Sequence, residues 1–471
     1  MPNKKTFNKT IETPIVSPKL HFFGGSKTVD GACYMVECGD EKILIDCGLH
    51  QSPEASPLNY EPFPFNPAEI GAVIITHSHI DHTGRLPKLY KDGFRGKIYS
   101  IPPTRDFTDL LLVDAQHILT EEAEREKREV LYSLEDMQKM MALWQVEEYH
   151  REIRISKNFS FILFNAGHIL GSAIVMLKIK VSPQKEIRVV FSGDLGNPLN
   201  LLLPESDVLA EGDYCLIESA YGDRLHEEPE KRRDMLEDAI EETVKRGGVV
   251  MIPAFAMERT QELMFELNEL MANRRIPQVP IFIDSPLAIR LTGVYEKYLT
   301  YLRLEAFKRI EAGESFFDFP GLDFTLTTEE SKKINEVPAP KIIVAGAGSS
   351  QGGRILHHEK RYLPDPNSTI LFIGYQMAGS LGRRILDGEK IVRIHGEKVE
   401  VKAHIKQISA YSAHADQSML LNWIRPMRFS LKKAFVVQGE EKSSNVLAQK
   451  IRDLCTIDAR VPGYKEVVEL E

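Results

Sequence analysis

The chain has 471 residues, of which 43% are hydrophobic and 27% charged, and a formal net charge of −9. This is the balance of a folded globular protein with room for two domains; it excludes a disordered chain and a uniformly basic nucleic-acid coat, though not a locally basic groove. No apolar run approaches a membrane span, and the five cysteines include no CxxC pair, which argues for a reduced, cytoplasmic compartment and against a cysteine-held metal.

Residues 1–18 are polar, bear lysines and are interrupted by Pro14 and Pro18. They lack the apolar core of a signal peptide and read as a flexible arm. From 19 to 212 strands alternate with loops and a few helices. Lys42–Ile45 is a short strand that ends at Asp46-Cys47-Gly48. Ala72–Ile75 is an apolar run bounded by turn residues and reads as a buried strand.

Directly after it stands Thr76-His77-Ser78-His79-Ile80-Asp81-His82. In an extended segment, residues two apart share a side, so His77 and His79 can grip one ion together. Asp81 and His82 follow where the chain can turn, and can reach a second. Nitrogen and carboxylate oxygen donors suit Zn²⁺ and tolerate Mn²⁺ or Fe²⁺. A His-rich surface loop is the bland alternative, but this spacing behind a hydrophobic strand points to a metal site.

Residues 106–151 are charged and free of Gly and Pro, which predicts two or more helices. Two further strands, Phe161–Phe164 and Arg188–Phe191, run into His168 and Asp194. From 213 to 390 the pattern becomes α/β. Apolar positions at helical spacing over 234–245 and 263–271 alternate with strands at Val249–Ile252, Ile281–Ile283, Ile342–Val344 and Leu371–Ile373, which predicts a parallel sheet. Residues 391–471 return to short β segments, and Ala434–Val437 is expected to rejoin the first domain.

Gly346-Ala347-Gly348-Ser349-Ser350-Gln351-Gly352-Gly353 lies between a strand and a helix. Backbone N–H groups in such a turn suit a phosphate, although most Gly-rich βα turns only turn, and no Gly-Lys-Ser/Thr follows. Arg383, Arg384, Lys88, Lys91 and Arg95 are candidate sources of positive charge, or simply a solvated surface.

The strand ends at Asp46, at the HxHxDH segment, at His168 and at Asp194 occur in an order that resembles the metallo-β-lactamase superfamily. Glu218 in Glu218-Ser219-Ala220-Tyr221-Gly222-Asp223, then Pro253-Ala254-Phe255-Ala256, Asp284-Ser285-Pro286, Gly374-Tyr375-Gln376, and His414 in Ser412-Ala413-His414-Ala415-Asp416, resemble landmarks of its β-CASP group of RNA-processing nucleases. The resemblance implies an αββα sandwich with an inserted α/β β-CASP domain, with 19–212 and 391–471 as the two parts of the sandwich and 213–390 as the insertion. It implies a metal-dependent ribonuclease. His77, His79 and His168 would hold one Zn²⁺, Asp81 and His82 a second, and Asp194 would bridge the two, which sit about 3.5–4 Å apart in such centres. Glu218 and His414 would form the acid that protonates the leaving oxygen, with Asp81 taking part in catalysis and Asp46 orienting a ligand or the nucleophile. Gly348, Ser349, Ser350, Gly352, Gly353 and Arg383 would face the cleft and hold the backbone of single-stranded RNA. Homodimers occur in the family, and no membrane partner is implied.

The chain departs from the family pattern where members carry a metal-binding His in a Val-His-Gly-Glu segment. Here it reads Val437-Gln438-Gly439-Glu440, and no histidine follows His414. An amide oxygen is a poorer zinc ligand than imidazole, so one firmly held ion and a weaker second site are expected. Ala220 stands where Thr is common, and Glu258 where Gly is usual. A weakened RNA-binding scaffold and a small-molecule ester or thioester hydrolase remain as alternatives to the ribonuclease.

Overall fold

A computed structural model of the chain describes residues 17–52, 55–226, 230–374, 376 and 379–471. Most of the expected arm, residues 1–16, and Tyr375 lie outside the described residues.

Two seven-stranded sheets face each other. The first runs Val467–Glu469, Lys19–Phe22, Tyr34–Cys38, Glu41–Ile45, Ile70–Ile74, Lys97–Ser100 and Trp144–Val146 in spatial order. The second runs Ala459–Arg460, Lys433–Val437, Tyr214–Glu218, Lys185–Phe191, Ala173–Ser182, Phe159–Asn165 and Glu152–Arg154. Side chains alternate across each strand, and the alternation fixes the layers. Ile43, Ile45, Ala72 and Ile74 point inward and meet Phe161, Leu163, Val175, Leu177, Val189 and Phe435 of the other sheet. Leu44, Val73 and Ile75 point outward under Leu86, Leu89, Met137 and Met140. On the far side, Ile174, Val190, Ile217 and Val436 are covered by Leu420, Trp423, Leu447 and Ile451. Both faces of each sheet are therefore apolar, which is why these strands read as continuous hydrophobic runs.

A third sheet of six strands, in the order Leu322–Phe324, Ile281–Ile283, Lys341–Ala345, Val249–Pro253, Thr369–Ile373 and His404–Ile408, is parallel throughout. Its residues also alternate. Val250, Ile252, Ile281, Ile283, Ile342 and Val344 face one core. Val249, Met251, Phe282, Ile343 and Phe372 face another. The first of these cores also takes in Phe107, Ile169, Leu170, Leu202 and Leu203, which come from segments that flank the sandwich.

Strand pairing shifts both expected junctions. Tyr214–Glu218 hydrogen-bonds between Lys185–Phe191 and Lys433–Val437, inside the sandwich, so the boundary at 212/213 falls one strand early. His404–Ile408 pairs with Thr369–Ile373, so the third sheet extends past 390. Hydrophobic runs mark a buried strand but not which sheet receives it. The segment expected to form two or more helices over 106–151 contains helices Pro102–Glu126 and Leu134–Met141. It then closes with the edge strand Trp144–Val146, whose indole N–H donates to Ser100 Oγ at 2.8 Å. Among the described residues no helix is long and apolar enough to cross a membrane.

Glu258 ties the third sheet to the sandwich. It precedes helix Arg259–Ala272 with φ +66°, a conformation that glycine adopts more readily. Its buried carboxylate accepts from Asn200 Nδ2 and Tyr295 Oη. Burial, and then the neighbouring Glu262 charge, push the Glu258 carboxyl from 4.5 up to about 7. Folding therefore takes up a proton between those values. This contribution is complete below about pH 4.5 and is lost as pH rises through about 7. Glu258→Gln is expected to remove about 2–3 kcal/mol of that loss in urea unfolding between pH 5 and 8; an equal fall in wild type and variant would refute the assignment.

Candidate metal centre

The strands that carry the candidate residues end along one edge of the sandwich. Glu41–Ile45 and Ile70–Ile74 are parallel neighbours, so Asp46 and Thr76 leave the first sheet side by side. Lys185–Phe191, Tyr214–Glu218 and Lys433–Val437 are mutually parallel and release Asp194, Glu218 and Gln438 from the second sheet. Phe159–Asn165 runs in the same direction, because it is antiparallel to Ala173–Ser182, which is antiparallel to Lys185–Phe191. It releases His168. The two sheets approach closely here. Ala173 N donates to Thr76 O at 2.7 Å, and a Cβ on Gly193, at φ +55°, would lie 2.8 Å from Thr76 Cβ.

His77, His79, His168 and Asp194 each offer a donor atom, and the four donors lie within 4.8 Å of one another. His77 Nε2 is 3.0 Å and His168 Nε2 3.2 Å from His79 Nδ1. Asp194 Oδ2 is 3.5 Å from His77 Nε2 and 3.6 Å from His168 Nε2. Burial holds His77 and His168 well below the ordinary imidazole value and takes His79 down to about 3, so all three rings are neutral. Burial alone would protonate Asp194, but the His82 charge and hydrogen bond outweigh it and hold the carboxyl well below its ordinary value. Three neutral imidazoles and one carboxylate are the protonation states that bind a divalent cation, and this donor set fits one.

Asp81 and His82 sit beside this group. His82 Nε2 is 3.8 Å from Asp81 Oδ2 and 3.5 Å from Asp194 Oδ1. Burial pushes the Asp81 carboxyl up to about 6. Burial would lower His82, but the carboxylates of Asp194, Asp46 and Asp81 hold it well above the usual imidazole value. Asp46, with φ +61°, bonds to His82: its Oδ2 lies 2.8 Å from His82 Nδ1 and accepts from Thr76 Oγ1 at 2.8 Å, while Oδ1 accepts from Thr76 N at 2.8 Å. It leaves His82 Nε2 directed at Asp194. Gln438 is buried against the same pair, and its Nε2 lies 2.6 Å from Asp194 Oδ1 and 3.1 Å from His82 Nε2.

Next to His168, with ring centroids 4.6 Å apart, His414 has its Nδ1 3.9 Å from Asp194 Oδ2 and 3.3 Å from Glu218 Oε1. His414 reaches the edge through an isolated β-bridge with Gly196, and Asp416 caps helix Gln417–Ile424 just beyond it. Leu195 N donates to Glu218 Oε1 at 2.6 Å, which fixes the carboxylate. Burial would lower His414, but the Glu218 charge and hydrogen bond raise it to about 9. The His414 side chain is 24% exposed and Glu218 is fully buried, so the imidazole is the member a substrate can meet.

The Gly-rich loop is placed less directly. A Cβ on Gly348 would lie 2.7 Å from Phe255 Cδ2, and Met257 of the same segment receives the Ser78 hydroxyl at 3.7 Å. The loop thus adjoins the metal group through residues 255–257. Ser349 O accepts from Gly382 N, Gly352 borders open space, Gly353 has φ +73°, and Gln376 Nε2 donates to Gly348 O. The Ser350 hydroxyl donates to buried Glu359, and Arg383 is paired with Asp387 at 2.9 Å. Lys88 is likewise paired with Asp92 and Arg384 with Glu389, while Lys91 donates to Leu131 O and Arg95 to Tyr90 O.

Several residues that the sequence analysis passes over hold this site together. Thr76 fixes Asp46, the Ala413 carbonyl lies 3.4 Å from His168 Nδ1, Asn197 binds the backbone of 412 and 413, and the Tyr34 hydroxyl donates to Gln438 Oε1 at 3.4 Å. Only Thr76 carried a signal, its place next to His77.

Comparison with known proteins identifies the family. The pattern of the Metallo-beta-lactamase superfamily matches residues 27–125, that of the Beta-Casp domain 260–385, and that of the Zn-dependent metallo-hydrolase RNA specificity domain 398–462. The chain is 36% identical over 421 residues to Ribonuclease TTHA0252 of Thermus thermophilus, covering 89% of this chain and 93% of that one. It is 31% identical to an RNase J-like protein of Methanocaldococcus jannaschii, covering 94% and 97%. It is 32% identical to Transcription termination factor FttA of the same organism, covering 96% and 72%. A crystal structure of a protein of unknown function from Enterococcus faecalis V583 shares the fold at TM-score 0.56 and 12% identity, covering 96% of this chain and all of that one. Matches at both ends and in the middle, with identity above 30% across nearly whole chains, establish that this protein belongs to the β-CASP group of the metallo-β-lactamase superfamily.

Proposed function

We propose that the chain is a metal-dependent ribonuclease that hydrolyses phosphodiester bonds of single-stranded RNA. The observation that carries the proposal is the meeting of two unlike groups at one carboxylate oxygen: neutral His77 and His168, with His79 beside them, and the His414–Glu218 pair both converge on Asp194 Oδ2. The names of the relatives, a ribonuclease and an RNase J-like protein, support RNA as the substrate class.

His77, His79, His168 and Asp194 would hold the ion, and zinc is the choice that fits imidazole and carboxylate donors. A divalent ion held there supplies Lewis acidity toward a phosphate oxygen and makes water a nucleophile near neutral pH. His414 carries the proton for the departing 3′ oxygen, and the product bears a 5′ phosphate. Glu218 orients the imidazole and keeps it charged, so the proton is in place before the substrate arrives. Asp46 acts through His82 and does not meet the substrate. Backbone groups of the loop at 348–353 are suited to the RNA backbone, since the Ser350 and Arg383 side chains are committed elsewhere.

Labelled single-stranded RNA is expected to be cut, with cutting abolished by a chelator and restored by Zn²⁺. His79→Ala is expected to lose metal and activity together; cleavage that survives both would end the proposal. His414→Ala is expected to keep its metal and lose about 10²–10⁴-fold in kcat with little change in KM. A KM effect alone would make His414 a binding residue.

A further inference from the structure

We infer that Gln438 closes the second metal position: its amide, oriented by Tyr34, donates to Asp194 where a second ion would bridge, so this enzyme works with one tightly bound ion. The inference rests on the metal-hydrolase reading above and concerns the number of ions, not their need.

Gln438 leaves strand Lys433–Val437 with φ +51°, and its backbone N–H donates to Gly25 O at 2.7 Å. Its side chain is 3% exposed and lies among three groups. Nε2 is 2.6 Å from Asp194 Oδ1 and 3.1 Å from His82 Nε2, and Oε1 accepts from the Tyr34 hydroxyl at 3.4 Å. Burial holds the Tyr34 phenol far above its ordinary value, so it keeps its proton and remains a donor. The space behind the pair is filled. A Cβ on Gly25 would lie 2.4 Å from Tyr34 Oη and 3.3 Å from Gln438 Cγ.

This setting selects one amide orientation. Turned over, the amide would place its oxygen 2.6 Å from a carboxylate oxygen, acceptor against acceptor, and would point an N–H at the phenol. With Nε2 toward Asp194, the bonds to Asp194 and to Tyr34 each have a donor and an acceptor; the 3.1 Å contact with the His82 ring nitrogen is not one of them. Oδ1 of Asp194 is then spent on an N–H, and only Oδ2 still faces His77 and His168.

An independent observation agrees. Among the described residues, two groups bring at least three candidate donors within 4.8 Å of one another. One is His77, His79, His168 and Asp194, and the other is Asp194, Glu218 and His414. Neither contains Asp81 or His82. The second position therefore has neither a converged donor set nor the imidazole that would complete one. Asp81 and His82 become positioning residues around Asp194.

The test counts ions in the full chain after saturation with Zn²⁺ and passage through metal-free buffer. Wild type is expected to retain about one Zn²⁺ per chain, and Gln438→His about two. Gln438→Glu differs by one atom group and supplies a ligand oxygen, so it is also expected to retain about two and covers the case in which histidine does not fit. Tyr34→Phe frees the amide to turn and is expected to raise occupancy above one during saturation; unchanged occupancy would remove Tyr34 from the inference. Two ions in wild type would overturn the inference and leave the metal-hydrolase reading intact. No retained ion in wild type would overturn that reading itself.

Discussion

The arrangement depends on the burial of one ionised carboxylate. Asp194 lies between the sheets, 5% exposed, and a charge so placed is tolerated only when its oxygens are fully matched. Its Oδ2 faces His77, His168 and His414, and its Oδ1 faces His82 and Gln438. These partners follow three strands of the sandwich, Ile70–Ile74, Phe159–Asn165 and Lys433–Val437, and the last strand of the third sheet, His404–Ile408. Folding the sandwich and assembling the site are therefore one event. A strand that slipped by one residue would turn its site residue to the wrong face and leave Asp194 buried without a match.

The third sheet is part of this constraint. His414 follows strand His404–Ile408 of that sheet and is pinned to the sandwich at Gly196, beside Asp194. Met257 accepts from Ser78 inside the HxHxDH segment, and Glu258 binds Asn200. These contacts fix the distance between the three-histidine group and His414. The cleft is formed by two packed bodies, so the placement of His414 is set by the core that spans them at Phe107, Leu202 and Leu203 as well as by its own loop.

What the sequence made legible follows from which interactions are local. Strand alternation and the HxHxDH spacing are visible because both depend on neighbours within a few residues. The strands Glu41–Ile45 and Ile70–Ile74 fall close to where that alternation predicts them. Glu218 and His414 were visible only through family resemblance, since they are 196 residues apart and each alone is an ordinary polar residue. Thr76, Asn197 and Tyr34 were missed because their roles come from groups that meet only after folding. The junctions near 213 and 390 were misplaced for the same reason, because a strand carries its hydrophobicity in sequence but its partner only in space.

Gln438 shows how such a site can change without collapsing. Replacing a ligand usually leaves a buried carboxylate with an unmatched oxygen, which is costly. An amide avoids this, since it presents an N–H toward Asp194 Oδ1 while its own oxygen is matched by the Tyr34 hydroxyl. The partial positive charge of that N–H stands in part for the charge of a cation. The three-histidine side is untouched, because its donors meet Asp194 through the other oxygen. An alanine at 438 would have met neither need. A polar side chain at this one strand end is thus compatible with the three-histidine group and the His414–Glu218 pair, because both meet Asp194 through Oδ2.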